Sequence, residues 1–123
     1  MLVEDDDALR LLISGFLSDY CVLPAISGEE ALDLMEENPK VDLVLCDYNM
    51  SGWNGVETIK RLRAVSPNSK FILMSGSEPN ELSTLALEAH ADAYLNKPFS
   101  EEILIEQIKS LLKIDCSIPQ EVA

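Results

Sequence analysis

Short, nearly uninterrupted apolar runs alternate along this chain with stretches whose apolar residues recur at helical spacing, and that alternation leaves few folds open. Leu2-Val3, a run beginning at Cys21-Val22-Leu23, residues 42–46, Phe71-Ile72-Leu73-Met74 and Ala93-Tyr94-Leu95 read as five strands. Residues 7–19 carry Leu9, Leu12, Ile13, Phe16 and Leu17 at helical spacing, and Asp6 or Asp7 is placed to cap that helix. A second helix starts at Gly28 with acids in its first turn, where the helix dipole favours them, and Asn38-Pro39 stops it. A third, over residues 55–65, puts Val56, Ile59, Leu62 and Val65 on one face and ends at Ser66-Pro67. A fourth, over 80–89, turns Leu82, Leu85 and Ala86 inward. Ser100-Glu101-Glu102-Ile103 resembles a capped start, and Leu104, Ile108, Leu111 and Leu112 form the stripe of a fifth helix. Five strands alternating with five helices predict parallel βαβ units and a doubly wound α/β sheet. Continuous rather than alternating apolar strands fit a sheet covered on both faces.

At 123 residues the chain is one domain. The repeating pattern ends near residue 113, and residues 114–123 are expected to be a flexible tail. No apolar run approaches the roughly 20 residues that span a bilayer, and no basic-then-apolar leader opens the chain, so a cytoplasmic location is expected. Three cysteines, Cys21, Cys46 and Cys116, are odd in number and widely spaced, which argues for reduced thiols and against a disulfide framework or zinc site. The net charge of −13 argues against direct nucleic-acid binding, which needs basic side chains to displace counterions.

Chemistry concentrates where the apolar runs stop. Leu2-Val3 runs straight into Glu4-Asp5, and Leu43-Val44-Leu45-Cys46 into Asp47; the fourth run ends at Ser75 and the fifth at Asn96-Lys97. In a parallel sheet all these ends meet at one rim. Three carboxylates gathered there disfavour shared ionisation, so a lysine, proton uptake or a metal must offset them. Lys97 is one point charge. A hard divalent cation, Mg2+ above all, would take oxygen ligands from the acids, a backbone carbonyl and water. Such a cation also binds phosphate oxygens, with Ser75 and Lys97 as donors, which makes Asp47 a candidate nucleophile toward phosphorus.

Taken in order, Glu4-Asp5, the D-x-x-M-x-G-x-x-G-like stretch from Asp47 to Gly55, Ser75-Gly76 and Tyr94-Leu95-Asn96-Lys97-Pro98-Phe99 resemble a response-regulator receiver domain over roughly residues 1–113. The resemblance implies a flavodoxin-like (βα)5 fold with strand order 2-1-3-4-5. It implies that Asp47 accepts a phosphoryl group from a sensor histidine kinase, a phosphotransfer protein or a small phosphodonor. Glu4, Asp5, Asp47 and the backbone carbonyl of Asn49 would hold Mg2+, with Mn2+ able to take its place. Ser75 and Lys97 would engage the phosphoryl group, Gly76 would leave room for it, and Tyr94 would turn inward when Ser75 moves. The side chains of Asn49 and Ser77 fall where the family tunes dephosphorylation, and the Lys97-Pro98 bond would be cis. Such a domain catalyses only its own phosphorylation and dephosphorylation, so it is no conventional enzyme. Its effector would dock on the face of the fourth helix, fifth strand and fifth helix, with a phosphorylation-dependent homodimer as a further partner and no membrane partner. With no output segment after residue 113, a stand-alone receiver and one cut from a larger protein are equally open.

Three positions depart from the family pattern: Ser51 stands in place of a proline, His90 in place of a glycine, and only Met1-Leu2-Val3 precede the acids. Bland roles compete with functional ones. Asp6 and Asp7 read as capping residues rather than ligands, Trp53 as a loop residue and His90 as structural. Tyr94 could simply pack the rim. Two other functions remain open: an interaction module that never becomes phosphorylated, and a Mg2+-dependent phosphohydrolase with an aspartyl nucleophile. Against the latter, Glu4 and Asp5 are adjacent rather than spaced D-x-D, and the chain has no length for a substrate cap.

Overall fold

The structure, a computed structural model, describes residues 1–38, 40–76 and 79–112. Its elements run β1 (Leu2–Val3), α1 (Asp7–Phe16), β2 (Pro24–Ala25), α2 (Gly28–Glu37), β3 (Leu43–Asp47), α3 (Gly55–Val65), β4 (Lys70–Ser75), α4 (Pro79–Ala89), β5 (Ala93–Asn96) and α5 (Glu101–Leu112). All strand pairs are parallel and the sheet order is β2-β1-β3-β4-β5. The chain is therefore a doubly wound flavodoxin-like α/β domain. Pairing aligns Val3 with Cys46, Asp47 with Met74, and Ser75 with Asn96, so the strand ends meet at one edge.

Alternate strand residues feed two cores. Val3, Val44, Cys46, Phe71 and Leu73 pack under α2, α3 and α4 with Met35, Ile59, Leu62 and Leu82. Leu2, Leu45, Ile72, Met74 and Leu95 face the other way, onto Ile13 and Leu17 and onto Leu104 and Ile108 of α5. Fully burying one such side chain is worth roughly 1.5–3 kcal/mol, so each layer supplies a large share of the folding free energy.

Local chemistry starts and stops the helices. Asp6 accepts from the Leu9 N–H at 3.0 Å, Ser27 from Glu30 at 3.0 Å, Asn54 from Glu57 at 2.9 Å and Ser100 from Ile103 at 3.2 Å. Each cap contributes about 1 kcal/mol. His90 ends α4 in the left-handed region at φ 60°, with its N–H on the Leu87 carbonyl and the Ala91 N–H on the Ala86 carbonyl. That is a Schellman ending, built without the glycine that normally occupies it.

Two boundaries differ from the sequence expectation. The second strand is Pro24–Ala25, not a run opening at Cys21. Pairing begins only where the Leu23 carbonyl accepts from Leu2 and the Ala25 carbonyl from Glu4. At the sheet edge only Ala25 needs burial, so apolar content misplaces the strand. Helix α1 ends at Phe16, and Leu12 is 53% exposed rather than inward; Ile13 and Leu17 take the buried positions. The stop after α2 falls at Asn38, whose N–H bonds the Met35 carbonyl. Pro39 and residues 113–123, with Cys116 and the expected tail, lie outside the described residues.

Candidate functional site

The site is the rim where β1, β3, β4 and β5 end. β3 delivers Asp47 into the rim almost fully buried, and β1 delivers Glu4, 1% exposed. Between them stands Lys97, just past β5, with Nζ 2.7 Å from Asp47 Oδ1 and 3.0 Å from Glu4 Oε1. One ammonium thus serves two acids from different strands. Asp5, next along the chain, is exposed, yet its carboxylate belongs to the same group: single oxygens of Glu4, Asp5 and Asp47 lie within 4.8 Å of one another. The donor set is all oxygen and carries more negative charge than Lys97 can balance, which suits a hard divalent cation.

Electrostatics follow from burial and this shortage of positive charge. Burial raises the Asp47 carboxyl above its ordinary range; Lys97 works against that rise and Asp5 adds to it. Burial likewise raises Glu4, opposed by the hydrogen bond from Lys97 and reinforced by Asp47. For Lys97, burial works to lower the ammonium, but its bonds to Asp47 and Glu4 outweigh that and hold it above the usual lysine range. Cys46, fully buried, has its thiol pushed far up by desolvation, so it is a small core side chain rather than a nucleophile.

Backbone contacts fix the rim. The Tyr48 N–H bonds the Met74 carbonyl at 2.8 Å, and the Lys97 N–H bonds the Ser75 carbonyl at 2.9 Å, tying the end of β3 and the lysine to β4. Gly55, the first residue of α3, gives its N–H to Tyr48 O at 2.9 Å. A Cβ there would come within 2.6 Å of the Asp47 carbonyl oxygen and 2.7 Å of Tyr48 Cα, so only glycine lets the helix approach the strand this closely. The Lys97-Pro98 peptide is cis.

The other residues singled out in the sequence take these places. Ser75 is fully buried at the end of β4, in register with Asn96. A Cβ on Gly76 would meet no described atom within 4 Å outside its chain neighbours. Asn49 is exposed on the β3–α3 loop, where it lines a hollow of about 410 Å³ with Asp5, Tyr48, Met50, Ser51 and Asn54. Tyr94 lies on β5 opposite Leu73, 42% exposed. Ser77 lies outside the described residues. Lys97, Glu4 and Asp47 are thus in direct contact, Asp5 completes the acid cluster, and Tyr94 faces outward.

Two groups at the rim escaped the sequence reading. Arg10 donates from Nη1 to the Glu4 carbonyl at 2.8 Å and from Nη2 to Asp7, bracing the acidic turn from α1. Its only sequence signal is the i, i+3 spacing from Asp7. The Ser51 N–H reaches Asp5 Oδ2 at 3.4 Å across 46 residues, and a backbone donor leaves no trace in a sequence.

Comparison with known proteins converges on one family. The family model of the response regulator receiver domain matches residues 1–109. The transcriptional regulatory protein CpxR of Escherichia coli (strain K12) is 37% identical over 116 residues, covering 92% of this chain and 48% of that protein. The sensor kinase CckA of Brucella abortus (strain 2308) is 38% identical over 119 residues, covering 92% of this chain and 12% of that protein. Among solved structures, a CheY-like response regulator receiver domain protein from Methanospirillum hungatei JF-1 superposes with a TM-score of 0.82 at 32% identity, covering 91% of this chain and 90% of that one. The chain spans about half the length of CpxR, and far less of CckA.

Proposed function

The chain belongs to the response regulator receiver domain family of two-component signalling, and on that premise we propose that it is a phosphorylation-dependent switch whose acceptor is Asp47. Receiver domains work with histidine kinases and effector domains. Here an Asp47 oxygen attacks phosphorus as the P–N bond of a partner kinase's phosphohistidine breaks; the imidazole leaves with the bonding pair and Asp47 carries the acyl phosphate. A small phosphodonor such as acetyl phosphate reacts the same way through its P–O bond. Glu4, Asp5, Asp47 and the Asn49 carbonyl would hold Mg2+, or Mn2+ in its place, which supplies the positive charge that lets an anionic donor approach three acids.

Positioning and charge supply most of the rate in such transfers. Lys97 holds Asp47 ionised and aimed, then gives its hydrogen bond to a phosphoryl oxygen. Ser75 donates its hydroxyl to another, drawing the β4 end inward, and Tyr94 fills the volume Ser75 vacates. The face of α4, β5 and α5 then favours its second arrangement, which an effector or a second copy of the chain reads. Asn49 and Ser77 set how readily water reaches the acyl phosphate. Relatives as different as a transcriptional regulator and a sensor kinase carry this module, so the output depends on what it is joined to or meets. No described helix is long and apolar enough to cross a membrane, and a cytoplasmic site of action, where kinases present phosphohistidine, fits this role.

The observation that carries this reading is the shared ammonium: Lys97 lies 2.7 Å from Asp47 and 3.0 Å from Glu4, with Asp5 in the same acid cluster. Incubation with Mg2+ and acetyl phosphate is expected to add one hydroxylamine-labile phosphoryl group to the intact protein, seen by mass spectrometry. Asp47→Asn abolishes it. An unmodified wild-type protein, or equal labelling of the variant, would remove Asp47 from this role.

A further inference from the structure

We propose that the backbone amide of Ser51 is a positioning group for the cation site, holding the Asp5 carboxylate toward Glu4 and Asp47. The inference rests on the reading of Glu4, Asp5 and Asp47 as cation ligands and adds to it a donor from a different loop. Glu4 and Asp47 are immobilised by burial and by Lys97. Asp5 is exposed and takes no part in the Lys97 ion pairs of the other two acids. Its one described hydrogen bond is from the Ser51 N–H to Oδ2 at 3.4 Å, longer than most backbone hydrogen bonds. That contact occupies one oxygen and leaves the carboxylate oriented with an oxygen inside the 4.8 Å acid cluster.

The loop is built to bring that amide back over β1. Gly52 follows Ser51 at φ 78°, a conformation a side chain resists, and a Cβ there would run into the Glu29 carboxylate of α2 at 2.7 Å. The positive φ at Gly52 turns the chain directly after the Ser51 peptide. Asp5, Asn49 and Ser51 line the same hollow, so the donor sits on the solvent side of the acids rather than behind them. Preorganising the one exposed carboxylate of the three removes an ordering cost that a cation would otherwise meet.

Because the donor is a backbone N–H, proline removes it while alanine keeps it. Mg2+ affinity of the unphosphorylated protein, measured by titration calorimetry without phosphodonor, is expected to fall roughly 3- to 10-fold in Ser51→Pro, as for loss of one hydrogen bond. Ser51→Ala is the conservative rescue and returns the wild-type affinity. A second measurement is independent of how Ser51→Pro folds: in apo protein the Ser51 amide proton resonance shifts upfield in Asp5→Ala, while those of Tyr48 and Gly55 stay in place. Unchanged Mg2+ affinity in Ser51→Pro, equal loss in Ser51→Ala, or a Ser51 amide blind to Asp5→Ala each overturns the proposal. A wild-type protein that binds no Mg2+ overturns the cation-site reading and this inference together, whereas normal wild-type binding with an unaffected Ser51→Pro overturns this inference alone.

Discussion

Two of the ion-pair knots among the described residues, one at the rim and one on the flank, are built on opposite principles. At the rim, Lys97 serves Glu4 and Asp47, with Asp5 close by, so one cation faces three acids. On the flank, Arg63 of α3 pairs with Asp92 at 3.1 Å, gives a second hydrogen bond to the His90 carbonyl at 2.6 Å and stacks on Phe71 at 4.7 Å. Asp92 in turn accepts from the Phe71 N–H at 2.8 Å. The flank knot is balanced in charge and turns its Nη2 donor and its carboxylate to backbone as well, although the buried Arg63 Nε has no hydrogen-bond partner among the described residues. The rim knot is short of positive charge. A strut is neutral in charge as it stands, whereas a site keeps a charge imbalance for a ligand to settle.

Removing each cation tests that contrast most directly. Lys97→Met leaves two buried carboxylates without a counter-charge and is expected to cost about 2–3 kcal/mol at pH 7, discounted because Lys97 itself is partly exposed. Mg2+ recovers much of that loss in a denaturation series. Arg63→Met is expected to cost about 1–2 kcal/mol through lost hydrogen bonds and stacking, with no recovery by Mg2+ and with labelling by acetyl phosphate retained. Equal responses of the two variants to Mg2+ would erase the distinction.

A smaller effect has the opposite sign. Asp47→Asn removes one of the crowded charges and is expected to stabilise the fold by about 1 kcal/mol at pH 7, measured by thermal or urea unfolding. The pH dependence follows from the raised carboxyls of Glu4 and Asp47, whose ordinary values are 4.5 and 3.8. Between those values and their raised native ones, the unfolded chain has released protons that the native rim retains. Wild-type stability therefore falls as pH rises through that window, and full stability from this source lies below it. Asp47→Asn flattens the slope; an unaltered slope would place the titration elsewhere. The smallest expected effect lies beside the strut: His90→Gly relieves the left-handed strain that closes α4 and should add about 0.5–1 kcal/mol without altering Mg2+ affinity.

How much of this was legible in the sequence differs between the two knots. The rim acids and Lys97 could be found because each ends an apolar run, and parallel pairing carries run ends to one edge. The alternation of runs likewise led to the fold, since two buried sheet faces demand it. The strut was invisible: Arg63, Asp92 and His90 have no common period, and their meeting depends on the angle between α3 and the turn after α4. Edge geometry hid β2, where Pro24 and Ala25 pair with almost no apolar signal. Leu11 and Leu12, 75% and 53% exposed, show that leucines on a surface helix need not mark its buried face. At the rim itself, Arg10 and the Ser51 amide were hidden because both act through backbone atoms, on one side of the contact or the other.

The close approach at Gly55 has a consequence for what the junction of β3 and α3 tolerates. With α3 pressed against the Asp47–Tyr48 peptide and no room for even a methyl group, any substitution at Gly55 must displace either the helix or the strand end that carries Asp47. A residue with no side chain thereby sets where the carboxylate stands.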